Sequence, residues 1–233
     1  MPDSSLFKSL ITPIPAEKQE KRGWAVTLNG QTVPEVSTLE ISNAKFGVVS
    51  YGNTPPGYDG WSFKEIGGGG SVIVPYVSID GVLHIGVLEQ ARHNQGGKVL
   101  NVPRGFLAPG ESHFQAARRE FSEETGHDPR KIEVIPLPGE PMNCNSAFFE
   151  TAEKGEGVRF FAVHFHSNEL ETRDGVCVFR EGVLKSDEAS KAAKLAEQIL
   201  GCRFIRYEEA LRLSDMFTVA GVGRLIVHIG MNT

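Results

Sequence analysis

Apolar and polar positions follow two periods along this chain, and the switch between them marks its organisation. Residues 24–28 and 31–33 alternate around Asn29-Gly30, a pattern that predicts a hairpin closed by a type I′ turn. Residues 39–41 and 46–51 are further strand candidates, and 52–60 (GNTPPGYDG) reads as a loop. Residues 1–62 are therefore expected to form an N-terminal accessory region rich in strand, and 63–233 the main domain. There the glycines at 67–70 lead into a strand at 71–77. This run lacks the Lys-Ser/Thr of a phosphate-binding loop, and the reading taken is close backbone approach. Strands are expected at 81–88, 132–135, 158–166 and 202–207, with 98–103 extended, 136–146 a loop and 168–190 polar. The run at 158–166, VRFFAVHFH, is nearly continuous in apolar residues and predicts a buried strand. Helices are expected at 188–200, 208–213 and 216–229. Strands, a helix, more strands and closing helices predict an α/β fold with a mixed sheet between helical layers.

The period changes to that of a helix at 112–125. Ser112 followed by Gln115 is a capping-box signature, Pro109-Gly110 marks a turn before it, and Gly126 a stop after it. Phe114, Ala117 and Phe121 fall on one face and are expected to dock into a core. Glu120, Glu123 and Glu124 stand at i, i+3 and i+4 on another face, with neighbouring Cβ atoms about 5–6 Å apart. Three like charges on one stripe repel. A hard divalent cation with oxygen ligands, Mg²⁺ or Mn²⁺, is the economical compensation. The plain alternative is a solvated acidic face, common on surface helices.

The carboxylates are embedded in a longer pattern. Gly105, Glu111, Arg119, Glu120, Glu123, Glu124 and Gly126 stand at the offsets G-x5-E-x7-R-E-U-x-E-E-x-G-U, where U is apolar. This segment resembles the Nudix box in all seven fixed letters. Phe121 fills the first U. His127 stands at the last, where an aliphatic residue is usual. The resemblance implies an α/β/α sandwich and a metal-dependent pyrophosphohydrolase, in which water attacks a phosphorus of a nucleoside diphosphate linked to another group. It implies Glu120 and Glu124 as the principal ligands of Mg²⁺ or Mn²⁺, with Glu123 assisting and the carbonyl of Gly105 or Arg104 completing the sphere. Arg119 would pair with Glu111 and fix the loop to the helix.

The resemblance extends more weakly over residues 63–230. The segments 69–75, 86–92 and 99–105 look like the strands that lead into the box in the ADP-ribose pyrophosphatase branch, and Pro141 stands fifteen residues after Gly126, as there. The run at 206–211 and Thr218 resemble that branch's C-terminal helices. The implied substrate is ADP-ribose or a similar nucleotide sugar, giving AMP and a sugar phosphate. A homodimer through residues 24–51 is also implied. The chain departs from the branch at Asn101, which replaces an acid, and at Arg104, which replaces a small residue. Residues 142–146 lack its Gly-rich turn. Hydrolysis of a dinucleotide or a damaged nucleoside triphosphate stays open, as does a non-catalytic nucleotide sensor, although a sensor would be expected to carry a degenerate box.

Arg92 and Arg104 are candidates to grip phosphates bidentately. Glu181, Asp187, Glu188 and Glu197 are candidate general bases that nothing in the sequence separates. His164 and His166 share a strand face and read as structural, as do Trp24 and Tyr51. Composition adds exclusions. A net charge of −5 without a basic patch disfavours nucleic acid as a partner. Cys144, Cys177 and Cys202 fit neither a disulfide framework nor a zinc site. No run of 18 apolar residues and no secretory signal is read, so the expectation is a cytoplasmic protein without a membrane span.

Overall fold

The computed structural model describes residues 11–12, 26–28, 31–33, 38–43, 47–54, 58–65, 69–92, 96–142, 157–184 and 188–231. The chain divides into two compact units, Met1–Gly69 with Met142–Gly157, and Gly70–Pro141 with Val158–Thr233.

The first unit is built from strands β1 (Ile11–Thr12), β2 (Val26–Leu28), β3 (Gln31–Val33), β4 (Thr38–Asn43), β5 (Gly47–Thr54) and β6 (Tyr58–Glu65). The expected hairpin is present: β2 and β3 pair antiparallel with Leu28 opposite Gln31. A four-stranded sheet runs in the order β1-β4-β5-β6. The segment 52–60 is not one loop. Gly52 pairs with Gly60 and Thr54 with Tyr58, so only 55–57 separates the strands. Ladder pairing overrides the poor strand propensity of Gly, Asn and Asp.

The second unit carries a nine-stranded sheet. Its strands are β7 (Gly69–Ile79), β8 (Val82–Arg92), β9 (Gly97–Asn101), β10 (Arg104–Phe106), β11 (Ile135–Pro136), β12 (Gly157–His164), β13 (Leu170–Arg173), β14 (Val176–Phe179) and β15 (Ile199–Arg206). The order is β11-β12-β7-β8-β15-β14-β13, with β10 on β7 and β9 on β8. Its helices are α1 (His113–Thr125), α2 (Glu188–Ala196), α3 (Tyr207–Ala210) and α4 (Met216–Met231). No described helix is long and apolar enough to cross a membrane.

Alternation along β7 shows how the layers form. Ile73 and Val77 join Ala117 and Phe121 of α1 in one core with Phe161, Val163, Phe165, Phe179 and Phe204. Val74 points the other way, against Gly221 of α4, where an added Cβ would lie 2.7 Å from it. Phe160 and Phe161 split between the two faces likewise, Phe160 meeting Phe217 of α4 at 6.3 Å. Both faces of β7 and β12 are thus covered by helices, which is why these strands read as near-continuous apolar runs.

Four expectations need correction. Phe114 does not dock into the core: it is 41% exposed. It lies edge-on to Phe161, and the Arg118 guanidinium sits 5.6 Å over its ring. The strand expected at 132–135 forms only at Ile135–Pro136, while Ile132 and Val134 are buried as core side chains. Residues 168–190 contain the hairpin β13–β14, turned by Asp174 and Gly175 at positive φ, 51° and 78°. An Asp-Gly hairpin signal was present but hidden among charged residues. The helix expected at 188–200 stops at Ala196, because Gln198 adopts φ 55° and Ile199 is drawn into pairing with Gln90.

His127, the atypical last letter of the box, is a core residue. Its ring packs against Phe121, Phe165 and Phe179 at centroid distances of 5.3, 5.1 and 4.4 Å. Nδ1 lies 3.0 Å from Thr125 Oγ1, while Nε2 is buried with no hydrogen-bond partner among the described residues. Burial first, and Lys194 second, lower its pKa to about 4. The imidazole therefore serves as a neutral aromatic plug.

A depressed histidine pKa destabilises the folded state as pH falls from the free value near 6.5 towards 4, because only the unfolded chain takes up the proton readily. His127→Leu is therefore expected to unfold within about 1 kcal/mol of wild type at pH 7.5. At pH 5 it is expected to gain stability relative to wild type. Urea unfolding at the two pH values checks this, and an unchanged difference between them contradicts it.

Candidate active site

Helix α1 is fixed at both ends. Ser112 Oγ accepts from Gln115 N–H at 3.3 Å and Ser112 N–H donates to Gln115 Oε1 at 2.9 Å. Gly126 takes φ 89° and returns its N–H to Ser122 O at 2.8 Å. The free carbonyls of the last turn are covered by α2: Ser190 Oγ donates to Glu123 O at 3.1 Å and Lys194 Nζ to Thr125 O at 2.8 Å. A cation at a helix C-terminus also suits the macrodipole.

This frame holds Glu120 and Glu124 out of water, at 7% and 3% exposure, while Glu123 is half-buried. The solvated-face alternative therefore does not describe these two. Gly105 is required by contact: a Cβ there would fall 1.9 Å from the Glu120 carboxyl carbon. Arg104 N–H donates to Glu124 Oε2 at 2.9 Å. Arg119 grips Glu111 bidentately, Nε to Oε1 at 2.9 Å and Nη2 to Oε2 at 2.8 Å. Its Nη1 reaches Glu120 at 2.7 Å and Glu123 at 3.2 Å, and Nη2 also donates to Phe106 O at 2.9 Å. Glu111 further accepts from Ala108 N–H at 2.9 Å, which folds the loop onto the helix.

A fourth carboxylate joins them. Glu197, just after α2, is within hydrogen-bonding reach of Glu124 and repels both Glu124 and Glu120. Gln198 in the left-handed region and a bulge between Ile199 and Gly201 turn the chain at this point. Bulges commonly re-aim a side chain beside an active site. Of the candidate bases whose side chains are described, Glu197 is brought to the cluster and Glu181 is not. Glu181 is exposed in the β14–α2 connection. The side chains of Asp187 and Glu188 lie outside the described residues, as do those of Trp24, Tyr51 and Cys144.

Burial raises Glu120 to about 7. Arg119 pulls it down, and Glu123 and Glu197 push it up. Burial, then Glu197 and Glu120, raise Glu124 well above the carboxylate range, against the Arg104 amide that lowers it. Arg119 is raised by its bond to Glu111. Among the described residues no trio of His, Cys, Asp or Glu is already closed into a cation cage. The donor set nonetheless fits a hard divalent cation: it consists of buried, mutually repelling carboxylate oxygens. Cys202, half-buried, has its thiol pushed up to about 12 by desolvation and stays protonated.

Arg92 and Arg104 have different surroundings. Arg92 Nε and Nη2 donate to Gln90 Oε1 at 3.2 and 3.0 Å, and Asn101 Nδ2 donates to the same oxygen at 2.8 Å. Gln90, Asn101 and Cys202 alternate onto the α1 face of the sheet, through Leu88, which pairs with both Asn101 and Cys202. Arg104 Nη1 meets Asp215 Oδ2 at 2.7 Å, and its guanidinium lies 5.1 Å over the Phe217 ring. His164 and His166 meet edge-to-face at 5.0 Å beside Tyr76 and are not part of this cluster. Asp215, Ser190 and Lys194 escaped sequence reading, because a surface-type Asp, Ser or Lys carries no local signal of a partner 60 or more residues away.

Residues 79–218 match the family model described as the NUDIX domain. No curated protein matches the chain. Among solved structures, a NUDIX hydrolase from Listeria monocytogenes str. 4b F2365 is 16% identical at TM-score 0.47, over 70% of this chain and 94% of that one. An Ap4A hydrolase from C. elegans is 12% identical at TM-score 0.42, over 70% and 97%. An ADP compounds hydrolase is 12% identical at TM-score 0.45, over 84% and 93%.

Carboxylates raised above their free value stabilise the fold while protonated and lose that contribution as pH rises through the folded pKa. The unfolded chain's His127 still titrates near 6.5 and weakly opposes this trend, so the window from 6.5 to 8 in the His127→Leu background isolates Glu120 and Glu124. In EDTA the melting temperature is expected to fall across that window, and millimolar Mg²⁺ or Mn²⁺ is expected to restore it. A metal-free melting temperature that climbs from pH 6.5 to 8 contradicts the assignment.

Proposed function

Because the chain belongs to the NUDIX family and is a hydrolase of that family, we propose that it is a metal-dependent pyrophosphohydrolase of a nucleoside diphosphate linked to another group. ADP-ribose or a similar nucleotide sugar is the proposed substrate, with AMP and a sugar phosphate as products. The observation that carries this reading is the pair of buried carboxylates, Glu120 and Glu124, crowded by Glu123 and Glu197 against Gly105. A buried cluster of like charge has little use without a cation. Glu120, Glu123 and Glu124, with the backbone at 104–105, would hold Mg²⁺ or Mn²⁺. When bound, the metal neutralises the diphosphate and makes water a competent nucleophile near neutral pH.

The chain's own residues supply the rest. Arg119, held by Glu111, keeps Glu120 and Glu123 aimed inward. Glu197, exposed and within hydrogen-bonding reach of Glu124, would take the proton of the attacking water. Arg92 has neutral amide partners, Gln90 and, through it, Asn101. Its positive charge is therefore not cancelled by a neighbouring carboxylate among the described residues and suits a diphosphate oxygen. Asn101 replaces an acid at this point, and the change favours a more anionic substrate. A homodimer in a cytoplasmic setting completes the reading: an N-terminal strand-rich region that dimerises is common in the branch, and residues 24–51 would serve that role here.

Phosphate release from a panel of ADP-ribose, other nucleotide sugars, diadenosine polyphosphates, NADH and oxidised triphosphates is the test, with Mg²⁺, with Mn²⁺ and with EDTA. Metal-dependent turnover of a nucleotide sugar is expected. Glu124→Gln should lower it by at least about 100-fold with the fold intact, and Glu197→Gln by about 10²- to 10⁴-fold, as for a general base. Near-wild-type turnover in Glu124→Gln would sink the metal role.

A further inference from the structure

We infer that Asp215 is a positioning residue for Glu124, acting through Arg104; this rests on the reading of Glu124 as a metal ligand. Three consecutive residues before Gly105 are each anchored, the outer two by the start of α4 and the middle one by β7. Val102 N–H donates to Thr218 Oγ1 at 3.0 Å. Pro103 O accepts from Ile73 N–H of β7 at 2.9 Å. Arg104 Nη1 meets Asp215 Oδ2 at 2.7 Å, with the guanidinium lying over Phe217. The other oxygen of Asp215 accepts from Thr218 N–H at 2.8 Å and from Thr218 Oγ1 at 2.7 Å, so Asp215 also caps α4.

One carboxylate therefore joins the start of α4 to both ends of the 102–104 segment. The output of that segment is the Arg104 amide, which donates to Glu124 Oε2 at 2.9 Å. The next residue, Gly105, is the one pressed against Glu120. An error of a few tenths of an ångström at Arg104 would thus reach both buried carboxylates at once. The Arg104 side chain is partnered on one side by an acid and on the other by a ring, with its charge compensated. This geometry assigns it to holding its own backbone in place, and leaves Arg92 as the arginine with charge to offer.

The substitution that separates the two duties of Asp215 is Asp215→Ser. Serine keeps a good N-cap for α4 and removes the charge facing Arg104. Mn²⁺ binding, followed by electron paramagnetic resonance, gives a readout that needs no turnover. Asp215→Ser and Arg104→Met are each expected to weaken Mn²⁺ binding or lower kcat by about 10- to 100-fold, the usual effect of losing a group that orients a ligand. KM for the nucleotide should stay within about 3-fold, since no substrate contact is removed. The double variant should be no worse than the poorer single one.

A loss carried by KM in Arg104→Met, or additive single effects, overturns the inference in favour of a phosphate grip by Arg104. A drop in melting temperature with unchanged Mn²⁺ affinity and kcat overturns it in favour of a capping role alone. Glu124→Gln is the control: if it leaves Mn²⁺ binding intact, the metal-site reading fails, whereas if it weakens binding and Asp215→Ser does not, only the positioning inference fails.

Discussion

Burial of Glu120 and Glu124 beside one another is the constraint around which the second unit is arranged. An ionised carboxylate removed from water costs several kcal/mol unless it is paired or bound by a cation. Every neighbour answers that cost in part. Arg119 supplies one guanidinium to Glu120, the Arg104 amide supplies one hydrogen bond to Glu124, and Glu197 stands close enough to Glu124 to share a proton. None of these cancels two negative charges. Gly105 has no side chain because the Glu120 carboxyl occupies that space. The packing of α1 on the sheet through Ala117 and Phe121 then fixes how deep the carboxylates sit.

Much of this was legible in the sequence because the decisive interactions are local. The capping of α1 by Ser112 and Gln115, the stop at Gly126 and the shared face of three glutamates all follow from spacings within one helix. The Arg119–Glu111 pair, eight residues apart, was implied by the family resemblance instead. What sequence could not supply was long range. Glu197 could not be told from three other acids, because its selection depends on the left-handed Gln198 and the bulge after Ile199. The Asp215–Arg104 contact spans 111 residues and has no periodic signature. Propensity also failed where pairing decided the outcome, as in the strands that flank 55–57 and in the Asp174-Gly175 hairpin.

His127 shows the same separation between motif and environment. The last box position needs a side chain that fills an apolar space, and an imidazole held neutral by its surroundings does so. The family pattern describes the residue types usually found there. The structure describes the physical demand, which a histidine meets through ring packing and a single bond to Thr125.

The bridging of α1 and α2 carries a consequence for how the site moves. Ser190 and Lys194 tie α2 to the final carbonyls of α1, and Glu197 follows α2 within a residue. The carboxylate proposed as base and the carboxylates proposed as ligands therefore sit on one jointed frame rather than on a helix and an independent loop. A tilt of α1 would be passed through those two bonds to α2 and so to Glu197, which ties the spacing between proposed base and proposed ligand to a single joint. A hydrolase with this plan has no need to close a lid to bring its base to the cluster; it has only to admit its substrate.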